Sequence, residues 1–199
     1  MKFILIVLIS INTFSQTAWE LKKEKDGIKV YLANSDDTKI KKFKVETFVM
    51  ASPREIATAV VDLENNYKWF ANVEKAELID QLGKDKFVFK QIIQVPIPFK
   101  NREVVATSTV SYLPNGVVRI DLKEDPYIIP ENKAYVRMPI SRGYWNLIPS
   151  GEGTEVEYSF LSDPAGDIPA WLANQFIVSS PLKTIKSLRE YLNKKKATP

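Results

Sequence analysis

The chain has 199 residues, of which 45% are hydrophobic and 26% charged, as is usual for one soluble globular domain. It contains no cysteine and no histidine, which excludes disulfides, cysteine-ligated metals and any hydrolase that relies on a histidine base. The formal net charge is only +4, and the basic residues form a run only at 194–196. We therefore predict no metal, no cofactor and no nucleic-acid partner.

The N-terminus has the pattern of a secretory signal peptide. Lys2 precedes an apolar run over residues 3–11, and small residues stand ahead of a cleavage site before Gln16. The run is too short to span a bilayer. We predict a signal peptide over residues 1–15 and a secreted or periplasmic domain over residues 16–199. An uncleaved anchor and a buried first strand are the alternatives.

A β-hairpin, a strand and one helix are predicted next. The hairpin turns at Asp26-Gly27, and a further strand lies within residues 39–50. The helix is expected to begin at Ser52, because serine is a good N-cap, Pro53 suits the first helical position and Glu55 completes a capping box. An aromatic cluster follows, which either packs in the core or contacts a ligand. It consists of Tyr67, Trp69 and Phe70.

Strands dominate the chain from residue 77 to residue 162, and one helix is predicted over 168–196. The short turns between the strands favour an antiparallel sheet over parallel units with helical crossovers. Pro181 is expected to kink the final helix. An apolar stripe runs along that helix at three-, four- and seven-residue spacings. Its members are Trp171, Val178, Leu182, Ile185, Leu188 and Leu192. The predicted fold class is α+β, with a curled sheet enclosing either a solid core or a cavity.

Polar residues interrupt the apolar faces of several predicted strands. Alternation places Gln91 in the apolar row of residues 87–95 and Ser108 in that of residues 104–112, and the Tyr158 hydroxyl also points inward. An unpaired buried polar group costs about 1–3 kcal/mol. A cavity that holds water or a ligand head group would supply partners, and so would neighbouring side chains or the backbone.

Three charged residues fall on or beside these strands. Arg102 and Glu103 follow a proline-containing loop, and we expect them to lie on an exposed rim of the sheet. Arg137 stands between two apolar residues and would need a partner if it turned inward, because an unpaired buried charge is very costly. Inside a pocket, Arg137 could hold a carboxylate, a phosphate or a polar head group.

Four segments stand in order over residues 19–192: the opening hairpin at 19–31, VPIPFKNRE at 95–103, YVRM at 135–138 with YWNLIPS at 144–150, and SDPAGDIPAWLANQ at 162–175. Together they resemble the START domains, the steroidogenic acute regulatory protein-related lipid-transfer family.

The resemblance implies the helix-grip fold of START and Bet v 1-like proteins. In that fold a curved antiparallel sheet wraps a long C-terminal helix, with a lipid-sized tunnel between them. The segment before the helix would then be the hinge of a lid. Members of the family bind one sterol, phospholipid or ceramide, mostly without chemistry. Sterol-binding members tend to carry a buried acid–arginine pair, but the arginine position is Ser108 here and the partner strand offers Phe89 and Gln91.

We therefore expect a monomeric, non-enzymatic protein that binds, and can transfer, a lipid or other hydrophobic small molecule, with transient membrane contact. The residues expected to contact the ligand are Gln91, Ser108, Arg137, Trp145, Tyr158, Trp171, Leu172 and Phe176.

Two alternatives stay open. The first is a helix-grip enzyme, a cyclase, dehydratase or hydrolase, that acts on a hydrophobic substrate without histidine or cysteine. The second is a module whose apolar loops near 96–99 and 126–130 bind a protein partner or a membrane surface.

Overall fold

Ten strands and three α-helices make up residues 18–197, the part of the chain that the computed structural model describes. The predicted signal peptide lies outside these residues. The elements are β1 (Glu20–Lys25), β2 (Ile28–Ala33), β3 (Lys42–Val49), α1 (Pro53–Val61), α2 (Leu63–Asn66), β4 (Val73–Gln81), β5 (Lys86–Ile93), β6 (Arg102–Tyr112), β7 (Val118–Glu124), β8 (Val136–Arg137), β9 (Ile140–Ser150), β10 (Gly153–Asp163) and α3 (Ala170–Ala197).

Local sequence signals explain where the first elements begin and turn. Asp26 and Gly27 adopt positive φ angles of 54° and 69° between β1 and β2, as a tight hairpin turn requires. The predicted capping box is present at the start of α1. The Glu55 backbone N–H donates to the Ser52 hydroxyl at 3.2 Å, and the Ser52 N–H donates to the Glu55 carboxylate at 2.7 Å.

All ten strands form one sheet in the order β1-β2-β3-β10-β9-β7-β6-β5-β4, with β8 paired to β6. Every pairing is antiparallel except that of β8 with β6. The register aligns one row of residues across the inner face of the sheet. In order from β5 to β3, the row is Phe87, Ser108, Leu122, Gly143, Phe160 and Phe43.

α3 packs on this inner face, and its two halves have different surroundings. The second half contacts a solid core, in which Ile185, Leu188 and Leu192 are buried. The first half lies over a cavity. The predicted α+β, helix-grip architecture is confirmed. The kink at Pro181 stays a prediction, although this residue does lie inside α3. No helix within residues 18–197 is long and apolar enough to cross a membrane.

The inner row is tightly packed at Gly143. A Cβ at this position would lie 2.1 Å from the Ser159 carbonyl oxygen and 2.3 Å from the Phe160 ring. Because the first contact is with backbone, no side-chain rotation relieves it. Gly143→Ala should lower the free energy of unfolding by about 3 kcal/mol, measured by urea denaturation.

The matched control is Gly83→Ala, at a turn with φ +88° where a Cβ meets no atom within 4 Å. It should cost about 1 kcal/mol, from backbone strain alone. Equal losses in the two variants would contradict the tight packing at Gly143.

Candidate functional site

A cavity of about 460 Å³ lies between the inner face of the sheet and the first half of α3. This volume is within the range of roughly 300–1,000 Å³ that is usual for pockets that bury one small molecule. α3 contacts β2 and β3 directly, whereas the cavity lies between it and β5 and β6. The wall residues from α3 are Leu172, Ala173, Phe176, Ile177, Ser180, Pro181 and Thr184.

The cavity opens beside the loop between β5 and β6. Among the described wall residues, only Gln94 and Pro96 are exposed to solvent, and both belong to this loop. Phe99 from the same loop and Ile168 and Leu172 from the start of the C-terminal segment also line the wall, and they are half-buried.

Stacked aromatic rings form part of the wall. Trp145 and Tyr158 are cross-strand partners on β9 and β10, and their ring centroids lie 3.9 Å apart with an interplanar angle of 12°. Phe70 packs edge-on against both rings. Burial raises the pKa of the Tyr158 hydroxyl, so this group is neutral at physiological pH. Sequence analysis predicted that Trp145 and Tyr158 contact the ligand, and both lie in the cavity wall.

Polar side chains on the sheet also reach the cavity. Gln91 and Ser108, the two residues that interrupt apolar rows, line it as alternation predicted. Ser141 on β9 lines it too. Ser108 and Ser141 are buried, and no hydrogen bond joins the side chains of these three residues to another group within residues 18–197. Sequence analysis missed Ser141, although alternation on β9 puts it on the face of Trp145.

A second polar group, at the end of α2, also lines the cavity. The buried Asn66 donates from its Nδ2 to the Val60 carbonyl at 3.3 Å, and its Oδ1 has no donor in the described structure. Thr184 on α3 accepts from the Ala71 N–H at 3.1 Å, and Asn72 donates to Ser180 at 2.8 Å. These bonds tie α3 to the segment after α2. Asn66 was missed because a polar run such as 64–66 gives no signal of burial.

The prediction that Arg102 lies on an exposed rim is wrong. Arg102 is only 2% exposed and lines the cavity. Its Nε donates to the Pro164 carbonyl at 2.9 Å, its Nη2 to the Ala165 carbonyl at 3.0 Å, and its Nη1 to the Lys100 carbonyl. Two of these acceptors belong to the turn before α3, where Ala165 has a positive φ of 52°. Burial lowers the pKa of the guanidinium, which remains charged.

Glu103 and Arg137 also differ from their predictions. Neither side chain is exposed, and neither lines the cavity. Glu103 points away from the cavity because it lies on the opposite face of β6 from Arg102. β8 places Arg137 directly opposite Glu103. Arg137 donates to one Glu103 oxygen from Nε at 2.9 Å and from Nη2 at 2.6 Å. Its remaining donors bond to the carbonyls of Pro126, Ile129 and Pro130. This buried pair therefore fixes the loop between β7 and β8 and is not available to a ligand.

Trp171 was predicted to contact the ligand, but it does not line the cavity, and the residue is 70% exposed. Leu172 and Phe176, also predicted to contact the ligand, do line the wall. From Val178 onward the predicted stripe of α3 packs against the core. In the first turn of α3, Leu172 lies on the side of the helix that lines the cavity, whereas Trp171 lies on an exposed side.

Comparison with known proteins identifies the family. The START domain profile matches residues 6–198. The chain belongs to the START domain family. An uncharacterised protein of Pseudomonas aeruginosa is 38% identical over 178 residues, which cover 89% of this chain and 88% of that protein. The rat phosphatidylcholine transfer protein is 25% identical over 171 residues, which cover 78% of this chain and 75% of that protein.

A solved START structure shares the whole architecture. The STAR-related lipid transfer protein from Xanthomonas axonopodis superposes with a TM-score of 0.82 and is 30% identical, covering 88% of this chain and 98% of that chain. The resemblance inferred from four sequence segments and the helix-grip fold that it implied are therefore both confirmed.

Arg137→Gln should strongly destabilise this START domain. The change leaves the Glu103 carboxylate buried without its counter-charge, since the two side chains are only 4% and 2% exposed. We expect a loss of about 3–5 kcal/mol in the free energy of unfolding, measured by urea denaturation.

Lys75→Gln is the control, because it removes one member of an exposed ion pair with Glu77. It should change stability by less than about 1 kcal/mol. A loss for Arg137→Gln as small as that of the control would show that the pair is dispensable.

Proposed function

We propose that this START protein is a non-enzymatic carrier that binds one lipid or other hydrophobic small molecule in the cavity beneath α3. The observation that carries the proposal is the cavity wall, which is mostly aliphatic and aromatic with a few polar side chains. The names of relatives point the same way, since one is a phosphatidylcholine transfer protein and another a STAR-related lipid transfer protein.

The chemistry of the wall favours binding over catalysis. Among the described residues, Arg102 and Tyr158 are the only ionisable side chains that line it. Arg102 is engaged by backbone carbonyls, and burial keeps Tyr158 neutral. General acid–base catalysis needs a group with a pKa near the working pH. The helix-grip enzyme that sequence analysis kept as an alternative therefore lacks an evident acid or base in this cavity.

Transfer of the ligand would require contact with a membrane at the cavity opening. Ile97 is 95% exposed and lies between the wall residues Pro96 and Phe99. Trp171, 70% exposed, precedes the wall residue Leu172. Tryptophan favours the interface between lipid and water. We assign these two side chains to a bilayer surface, because they border the opening through which an apolar molecule must pass.

Export fits a carrier role. A secreted or periplasmic protein that shields an apolar molecule would allow it to cross water between two membranes. The proposed location rests on the N-terminal sequence alone.

The direct test is native mass spectrometry, with lipid extraction, of protein purified from its own host. We expect one bound hydrophobic molecule per chain, and a rise in Tm when the emptied protein is given that molecule again. Protein that repeatedly arrives empty and is stabilised by no lipid class would contradict the carrier function.

Phe176→Ala and Trp171→Ala should separate ligand retention from membrane contact. Phe176 lines the cavity, so its loss should accelerate ligand release to acceptor vesicles at least about tenfold. Trp171 is exposed, so Trp171→Ala should leave retention in solution unchanged but reduce co-sedimentation with phosphatidylethanolamine–phosphatidylglycerol vesicles several-fold. Identical effects of both variants on both measurements would argue against this division.

The export proposal predicts the N-terminus of the mature protein. Intact mass and N-terminal sequencing of the secreted or periplasmic fraction should show a chain that begins at Gln16. Leu5→Arg, which interrupts the apolar run, should retain the uncleaved chain in the cytoplasm. A wild-type chain that keeps residues 1–15 in every fraction would contradict cleavage.

A further inference from the structure

We infer that the ligand is a single-chain amphiphile with an anionic group, a carboxylate or a phosphate monoester, and that the Arg102 guanidinium binds this group. The inference rests on the proposed carrier function and deepens it by naming the class of ligand. The observations behind it are the unneutralised charge of Arg102, the N–H groups that this residue leaves unbonded and the size of the cavity.

Arg102 carries a buried positive charge that no carboxylate neutralises. The residue is 2% exposed, lines the cavity and forms no ion pair within residues 18–197. Burial lowers the pKa of its guanidinium, and Asp167 opposes this effect from an exposed position in the turn before α3 without forming an ion pair. Buried charges in proteins are normally paired. An anionic ligand group would supply the missing counter-charge.

Arg137 shows how another buried arginine of this protein is satisfied. A guanidinium has five N–H groups. All five of Arg137 are bonded, two of them to Glu103 and three to carbonyls of the loop between β7 and β8. Arg102 uses only three of its five, each for a backbone carbonyl. One N–H on Nη1 and one on Nη2 therefore have no bond to a described residue.

The two unused N–H groups suit an anion with two oxygens. A carboxylate or a phosphate can accept one hydrogen bond from each terminal nitrogen of arginine, and this bidentate arrangement is stronger than a bond between neutral groups. The three carbonyl bonds of Arg102 would stay intact, so the turn before α3 would keep its place against the sheet.

A cationic group would find no partner in the same wall. The wall contains no acidic side chain among the described residues, and Arg102 would repel a second positive charge. Arg102 also bonds to Lys100 in the loop at the opening. The anionic group of the ligand would therefore lie near the opening, with its apolar chain extending beneath α3.

The cavity is too small for a lipid with two long acyl chains. Its volume of about 460 Å³ holds roughly 15 non-hydrogen atoms if each occupies ~30 Å³, the share of one water molecule in the liquid. A single chain of about ten to twelve carbons with its head group has that size, whereas a phospholipid with two long chains is roughly three times larger. A single-chain ligand therefore fits the available space.

The test compares four probes with the same ten-carbon chain: decanoic acid, decyl phosphate, decanol and decyltrimethylammonium. Each is added to the emptied protein at pH 7.5, where the first two are anionic, and binding is measured by calorimetry. We expect one or both anionic probes to bind at least about tenfold more tightly than decanol, and the cationic probe to bind most weakly. The tighter of the two anionic probes distinguishes a carboxylate from a phosphate ligand. Equal or tighter binding of decanol would overturn the inference.

Arg102→Gln should remove the preference for an anion. The affinity of the tighter anionic probe relative to decanol should fall at least about tenfold, because the charged hydrogen bonds are lost. Arg119→Gln is the matched control, since it removes the same charge from an ion pair with Asp121 outside the cavity wall. The control should leave the ratio unchanged. An unchanged ratio in Arg102→Gln as well would contradict the assignment to Arg102.

The pKa of the bound anionic group gives a second readout, in the wild-type protein, that does not depend on the folding of a variant. NMR of a ¹³C label on the carboxyl group of decanoic acid, or of the phosphorus of decyl phosphate, follows the titration of whichever probe binds more tightly. Contact with Arg102 should hold the pKa of the bound group below its value in water, since a nearby opposite charge favours the ionised form. Burial without that contact would raise the pKa, and a raised pKa would overturn the inference.

The two levels of the proposal fail in different ways. If all four probes bind equally well, the carrier function stands and the anionic class of ligand is wrong. If no probe binds, the inference fails, and native mass spectrometry then decides the carrier function alone.

Discussion

The buried guanidinium of Arg102 fixes the turn before α3 against the sheet. It bonds to the carbonyls of Pro164 and Ala165 in the turn before α3, and to that of Lys100 in the loop at the cavity opening. Because a buried charge without partners is very unfavourable, the turn cannot leave the sheet without a large loss of free energy. One side chain thus joins the start of the covering helix to the loop beside the opening. Movement of either segment would have to break these bonds.

Most of the fold could be predicted because its signals are local. A turn at Asp26-Gly27 and a capping box at Ser52 need only neighbours within three residues. Alternation likewise placed Gln91 and Ser108 on the cavity face from the residues beside them. The four family segments supplied what local signals could not, namely that the sheet wraps the last helix.

The partners of the charged residues could not be predicted, because they are distant in the sequence. Arg102 bonds to carbonyls more than 60 residues later, and Glu103 pairs with Arg137 across 34 residues. Charge suggested exposure, although the alternation of β6 already put Arg102 on the cavity face with Val104. Trp171 shows a different limit. Periodicity identifies the residues that share a face of α3, but not where along the helix that face stops meeting another element.

Small side chains on the two surfaces that face each other contribute to the cavity. Along α3, the small residues Ala173 and Ser180 line it, whereas Leu188 further on fills the solid core. On the sheet, Ser108 borders the cavity while Leu147 lies in the core. Protein interiors normally leave few voids larger than a water molecule, and an unfilled space forfeits dispersion contacts on both walls. Larger apolar residues at these positions would close the space and stabilise the empty protein. A cavity built at this cost to stability is best explained by a ligand that restores the missing contacts.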